Sequence, residues 1–294
     1  MNQVLISMDK EMNFRAYTVL STEMVEKMRI THDTTPTASA ALGRTIMCTS
    51  LMGLMLKGDE SKVTVIIKGN GEAGQILVVA DSKGIVKGYI QNPKVDLPLN
   101  DNGKLNVGAA VGGGNMTVIK DLGLKEPYIG QSDLITGEIA EDFTAYFAYS
   151  EQQPSSVLAG VLVDTDHSIK AAGGCIIQML PQPNEDVLTK LENTIKTIPS
   201  ITELIVKAEN VHQVHDAIFE SFEMLKIGEH EVDYQCDCSW DGFERGLISL
   251  GKKELGKIYQ EDEQAELVCQ FCRKKYLFDK VKLKDLLEGM VVEQ

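Results

Sequence analysis

Positive charge is in short supply in this chain. Lysine and arginine number 29 against 43 aspartates and glutamates, giving a net −14 and a pI near 4.9. Affinity for nucleic acid leans on neutralised phosphates, and affinity for anionic lipid leans on the same cations, so neither is expected in general form. Also missing is an uninterrupted apolar run of membrane length. The most apolar stretch, Ala38 to Leu56, is broken by Arg44 and rich in small residues, so it reads as a buried helix. Histidine is sparse and scattered (His32, His167, His212, His215, His230), and neither Ser155 nor Ser156 sits in a nucleophile-elbow pattern. Hydrolase chemistry has nothing to build on. His212 and His215 share a helix face and are expected in solvent. Asp9, Lys10 and Glu11 follow closely on a short apolar start, so no signal peptide is expected. A cytoplasmic location and reduced thiols are the corresponding expectation.

What the chain does have is a concentration of sulfur. Four of its six cysteines fall between Cys236 and Cys272: Cys236-Asp237-Cys238, thirty residues, then Cys269-Gln270-Phe271-Cys272. Two close pairs of thiolates are what a tetrahedral zinc ion requires, each sulfur about 2.3 Å from the metal. Four cysteines buried as small hydrophobes would not be flanked by Asp237, Gln270 and Arg273, which place both pairs in polar turns. Cys236, Cys238, Cys269 and Cys272 are therefore the expected ligands of one zinc ion per chain. Cys48 and Cys175 lie among apolar neighbours and read as structural thiols.

The rest of the chain divides by texture. Residues 1–181 read as an α+β domain, with a core helix from about Pro36 to Leu56 and strands at Phe14–Leu20, Lys62–Lys68, Gln75–Ala80, Ile85–Gln91 and Met116–Lys120. Phe143–Tyr149 and Ser156–Val163 continue the β pattern, and Ile169–Leu180 closes it with Gly173 and Gly174 as a bulge. Short turns favour one antiparallel sheet with the long helix on one face. Gly69-Asn70-Gly71-Glu72-Ala73-Gly74 spells a dinucleotide fingerprint. The strand-like Gln75–Ala80 stands where that motif needs a helix, so the glycines read as a hairpin. Pro181-Gln182-Pro183 ends this texture. Residues 182–230 show no strand signal and three short helices, with a capping box at Ser200-Ile201-Thr202-Glu203 and a cap at Asn210. Helices so short are marginal in water and must dock their apolar stripes on something. Residues 231–294 form a small module with a helix near Lys252–Gln260, a strand at Tyr276–Phe278 and a helix over Val281–Leu287. Its apolar content is thin, so its fold is expected to depend on the metal.

Thiolate is both the metal ligand and the form that oxidants attack. Within each cysteine pair the partners are close enough for a disulfide, so oxidation and zinc release would be coupled. Spacing alone leaves two uses open: a permanently closed structural site, the commoner one, or a redox switch.

The Cys-x-Cys and Cys-x-x-Cys tail resembles that of the redox-regulated thirty-three-kilodalton heat-shock chaperones of bacteria. The resemblance extends to Pro36-Thr37-Ala38-Ser39-Ala40-Ala41-Leu42-Gly43-Arg44-Thr45, to Ser150–Ser156 with Gly160–Val163, and to Ala171–Gly174 running into Ile176-Ile177-Gln178. It implies a holding chaperone, not an enzyme, that is inactive while reduced and zinc-bound. Oxidation would then form Cys236–Cys238 and Cys269–Cys272, release zinc and unfold the 182–230 linker. Unfolding client proteins would be bound without ATP and later passed to ATP-driven foldases, with dimerisation of the active form.

Two other readings compete. A zinc module for nucleic acid meets fourteen acids against ten bases over 231–294, a net −4. A thiol–disulfide oxidoreductase using Cys269 and Cys272 lacks the βαβ setting and has a second cysteine pair sharing the metal.

Overall fold

A computed structural model describes residues 2–290, and they form two compact units that divide between Tyr234 and Gln235. The first unit opens with β1 (Gln3–Asp9), β2 (Phe14–Leu20), α1 (Thr22–His32) and α2 (Pro36–Leu54). It continues through β3 (Lys62–Gly69), β4 (Gln75–Asp81), β5 (Ile85–Ile90), α3 (Val107–Val111), β6 (Gly114–Asp121), β7 (Tyr128–Asp133) and α4 (Ala140–Tyr149). After β8 (Ser155–Val163) and β9 (Ile169–Met179) come α5 (Glu185–Thr197), α6 (Ile201–Lys207), α7 (Val211–Ile218), β10 (Met224–Glu231) and β11 (Asp233–Tyr234).

The strands make two sheets rather than the single one expected. One has the order β10-β1-β2-β9-β8, the other β11-β5-β4-β3-β6-β7, and all pairs are antiparallel except β11 with β5. Helix α2 lies between them. From Thr37 to Gly53 every position but Arg44 is buried, which a helix without a polar face achieves only inside a core. Its small residues set the spacing: a Cβ on Gly53 would stand 2.4 Å from the Asp81 carbonyl oxygen of β4.

Alternation along β2 explains why the first sheet is covered twice. Tyr17 and Val19 face α2, whereas Phe14 and Ala16 face outward with Cys175 and Ile177 of β9. Onto that outer face dock Leu191 of α5, Ile201 and Ile205 of α6, and Val214 and Ile218 of α7. The three helices are thus a lid over an apolar sheet face. Gly173 and Gly174 are no bulge: β9 runs in unbroken register with β8 across them, and the irregularity falls at Leu162/Val163. Their smallness serves close packing instead. A Cβ on Gly173 would lie 2.5 Å from Ile205 Cδ1, and one on Gly160, its cross-strand partner, 2.6 Å from Ile201 Cγ2.

Two segments depart from the sequence expectation. Phe143–Tyr149 is helical, because the buried Asp142 carboxylate accepts the backbone N–H groups of Ile135, Thr136, Gly137 and Ile139 and fixes the start of α4. The expected helical stretch ends in a strand: β10 pairs with β1 from Met224 to Glu231. The cap at Asn210 is present, its side chain accepting from Gln213 N. Ser200 caps α6 through Glu203 N, and its hydroxyl donates to Glu203 Oε1.

The chain leaves this unit through an anchored residue. Tyr234 is buried, its hydroxyl 2.7 Å from His32 Nε2 and donating to the Gly88 carbonyl at 2.7 Å. The second unit contains α8 (Trp240–Ser249), α9 (Lys252–Glu261), a hairpin of β12 (Ala265–Val268) and β13 (Lys275–Phe278), and α10 (Lys280–Gly289). Its buried hydrophobic core is Leu247, Leu255, Tyr276, Phe278 and Leu283. No helix among the described residues is long and apolar enough to cross a membrane.

Candidate metal centre

Two local structures aim the sulfurs. Cys236 and Cys238 lie on the extended lead-in to α8, which starts where Ser239 Oγ accepts Gly242 N at 3.2 Å. Cys269 and Cys272 occupy the turn between β12 and β13. There Cys269 N donates to the Lys274 carbonyl at 2.9 Å and Arg273 N to the Cys269 carbonyl at 2.8 Å. Arg273 takes the left-handed conformation at φ 61° to close this knuckle. The polar turn expected at this pair is thus present.

The four Sγ atoms lie within 4.8 Å of one another, with Cys236 to Cys269 at 3.7 Å and Cys238 to Cys272 at 3.4 Å. Sulfurs about 2.3 Å from a tetrahedral ion stand about 3.8 Å apart, so the donor set and its dimensions fit a single metal ion. Among the described residues this is the one such cluster of three or more metal-ligating side chains. Cys269 is buried and the other three are half-buried, so the site is shielded but reachable. The closeness of all four sulfurs favours no particular disulfide pairing.

The thiols are not equivalent. Burial, reinforced by the neighbouring thiols, pushes Cys236 well above the ordinary cysteine range, and burial likewise raises Cys272. Cys238 is also penalised by burial, yet hydrogen bonds from Tyr276 and the other cysteines outweigh this and hold its thiol below the usual value. Sequence reasoning missed Tyr276 as part of the site. Its hydroxyl lies 3.1 Å from Cys238 Sγ and donates to the Cys238 carbonyl at 3.1 Å. Its ring meets Phe243 at 4.5 Å and Trp240 at 5.3 Å between centroids. One fully buried side chain thus ties the sulfur cluster to the small core.

The remaining candidates lie elsewhere. Cys48 on α2 and Cys175 on β9 are buried, which pushes each thiol up to about 12 and leaves it inert. The glycines at 69–74 form the β3–β4 hairpin, not a phosphate cradle. His212 lies between Glu229, at 3.1 Å, and Lys226, at 3.0 Å. His215, expected in solvent, is buried against Ser7 of β1, because α7 docks on the sheet with that face inward. His230 sits exposed on the edge strand β10.

Comparison with known proteins agrees with this geometry. The profile of the family described as Hsp33 protein matches residues 2–279. The 33 kDa chaperonin of Alkaliphilus metalliredigens is 51% identical over 279 residues, covering 95% of this chain and 96% of its own. That of Alkaliphilus oremlandii is 53% identical over 273 residues, covering 92% and 91%. The crystal structure of the 33 kDa chaperonin of Thermotoga maritima superposes with a TM-score of 0.89 at 36% identity, covering 98% of both chains.

Proposed function

The chain belongs to the Hsp33 family of chaperones, and on that premise we propose that it is a redox-regulated holding chaperone that works without ATP. The observation carrying this reading is the convergence of four thiols within 4.8 Å in a unit whose buried core is five side chains. Cys236, Cys238, Cys269 and Cys272 hold one zinc ion in the reduced state. The ion supplies folding energy that so small a core lacks, about 10–16 kcal/mol in apparent terms for zinc-organised units.

Oxidation of a thiolate pair removes two electrons and forms one S–S bond, and peroxide as oxidant leaves as water. The pairs are Cys236–Cys238 and Cys269–Cys272. Each pair removes two ligands, zinc departs, and residues 231–294 lose their staple. The 182–230 linker, with α5, α6 and α7, then leaves the outer sheet face. Phe14, Ala16 and Ile177 are uncovered there and bind the exposed apolar segments of unfolding clients. Reduction restores the closed state and delivers clients to ATP-dependent foldases. The active form is a homodimer in the cytoplasm, and the net −14 charge argues against nucleic acid as a partner.

The test follows zinc release and thiol loss together during peroxide treatment, with suppression of client aggregation assayed in the same samples. The three are expected to rise in step. Equal suppression by the reduced, metal-loaded chain would sink the redox reading.

A further inference from the structure

One buried polar constellation lies outside the sulfur site and has no part in the account above. Helix α7 seats His215 against β1. Its Nε2 is 2.8 Å from Ser7 Oγ, its Nδ1 is 2.9 Å from Asp216 Oδ1, and the ring is packed 5.0 Å from that of Phe219. A carboxylate can only accept, so Nδ1 carries the proton and Nε2 accepts from the Ser7 hydroxyl. The neutral ring is therefore matched on both sides. Ser7 is fully buried, so no substrate reaches it and the Ser–His–Asp order is not a hydrolytic triad.

We propose that His215 is an acid-sensitive latch for α7: its protonation at Nε2 releases that helix from β1 while the sulfur site remains intact. This rests on the reading of α5–α7 as a lid over the client-binding face. A proton on Nε2 turns Ser7 Oγ from donor to acceptor, so that its hydroxyl hydrogen loses the ring as acceptor, and it places a full positive charge among Phe14, Phe219 and the sheet. Around the ring, α7 contributes His212 and Asp216, the turn after it Glu220, and β10 Lys226 and Glu229. From β1 comes Ser7, and β2 presents Phe14, Ala16, Thr18 and Leu20 on this side, none of them charged. Asp216 is the one anion bonded to the ring, and it is largely solvated, 65% exposed. Lys226 opposes the new charge. Burial, as the largest influence, holds the imidazole below its ordinary value, with Asp216 acting the other way. The undocked ring recovers its free value, so acid favours release.

The experiment uses the full chain, reduced and zinc-loaded, and measures hydrogen exchange over 185–218 in the wild type and in His215→Gln at the same pH. Bound zinc is measured in parallel. At about pH 5.5 the wild-type helix α7 should exchange roughly tenfold faster than that of the variant, with zinc retained in both, and the two should agree near pH 7.5. Equal exchange at acid pH, or zinc loss over the same range in the wild type, overturns the latch. A second measurement needs no variant: the acid midpoint of α7 exchange must coincide with the titration of the His215 ring followed by NMR, and a mismatch is equally fatal. His32, the other buried histidine, is present in both chains and serves as the control. Peroxide at pH 7.5 forms a separate arm. If it leaves 185–218 protected, the functional reading fails while the acid comparison still decides the latch.

Discussion

Gly160 and Gly173 stand directly opposite each other across β8 and β9, and together they form the floor on which α6 rests. A methyl on Gly160 would meet Ile201 Cγ2 at 2.6 Å and Thr202 Cγ2 at 2.7 Å, both on α6. One on Gly173 would also strike the Val19 carbonyl oxygen at 2.5 Å, within the sheet itself. The two positions therefore separate helix docking from sheet integrity. Gly160→Ala should weaken α6 docking by about 1–3 kcal/mol, the usual cost of overpacking. Hydrogen exchange over 185–218 should rise in the reduced chain while the metal stays bound. Unchanged protection would mean that α6 does not need this floor.

Serine at Cys236, Cys238, Cys269 or Cys272 removes a soft donor. Each variant should bind zinc far more weakly and lose the protection of α8, α9 and α10, which surround a core of five buried side chains. Chelation of the wild type should do the same. A tail that keeps its slow-exchanging amides without metal would show that its own packing suffices.

Tyr276→Phe keeps the ring between Trp240 and Phe243 and deletes only the hydroxyl at Cys238. Loss of such a supporting hydrogen bond costs about tenfold or more in metal affinity. Competition with a chromogenic chelator measures this, and wild-type affinity would reduce the hydroxyl to a bystander.

Glu26 offers a prediction in acid. Its hydrogen bond from Arg29, opposed by burial and aided by the Ile169 N–H, holds the carboxyl below its usual range. A folded-state value below the unfolded one means that the unfolded chain binds more protons in acid. The stabilisation is thus complete above the unfolded value, about 4.3, and lost as pH falls below it. Glu26→Gln should cost about 1 kcal/mol near neutrality and flatten the dependence of Tm on pH below that point. A parallel pH profile in both chains would refute the assignment.

Much of this was legible in residue order, for reasons that differ by element. The sulfur site could be read because ligand spacing is a local property: Cys269-Gln270-Phe271-Cys272 must turn tightly wherever it lies. Core helix α2 was visible because a run of Ala, Met and Gly with one charge cannot face water. The hairpin at 69–74 was betrayed by the β-branched residues after it. What escaped was set by distant partners. Phe143–Tyr149 has the composition of a strand, and only the four backbone donors gathered by Asp142 make it a helix. Met224–Glu231 becomes a strand because β1 leaves an edge open to it. Tyr276 shows no sign in sequence that its hydroxyl reaches a cysteine.

Tyr234 has a mechanical consequence. It is the last residue before the sulfur-bearing unit begins, and it is fastened to Gly88 and His32. Those bonds make Tyr234 a rivet that, with the Lys27–Asp233 ion pair and the β11–β5 pairing, would hold this end of the first unit in place if the tail loosened. If the tail unfolds on oxidation as proposed, this fastening would make the response of α5–α7 stepwise rather than gradual, with a range in which limited oxidation leaves them docked. Tyr234→Phe should narrow that range, so that 185–218 opens at lower peroxide than in the wild type; an unchanged peroxide midpoint would place the rivet elsewhere.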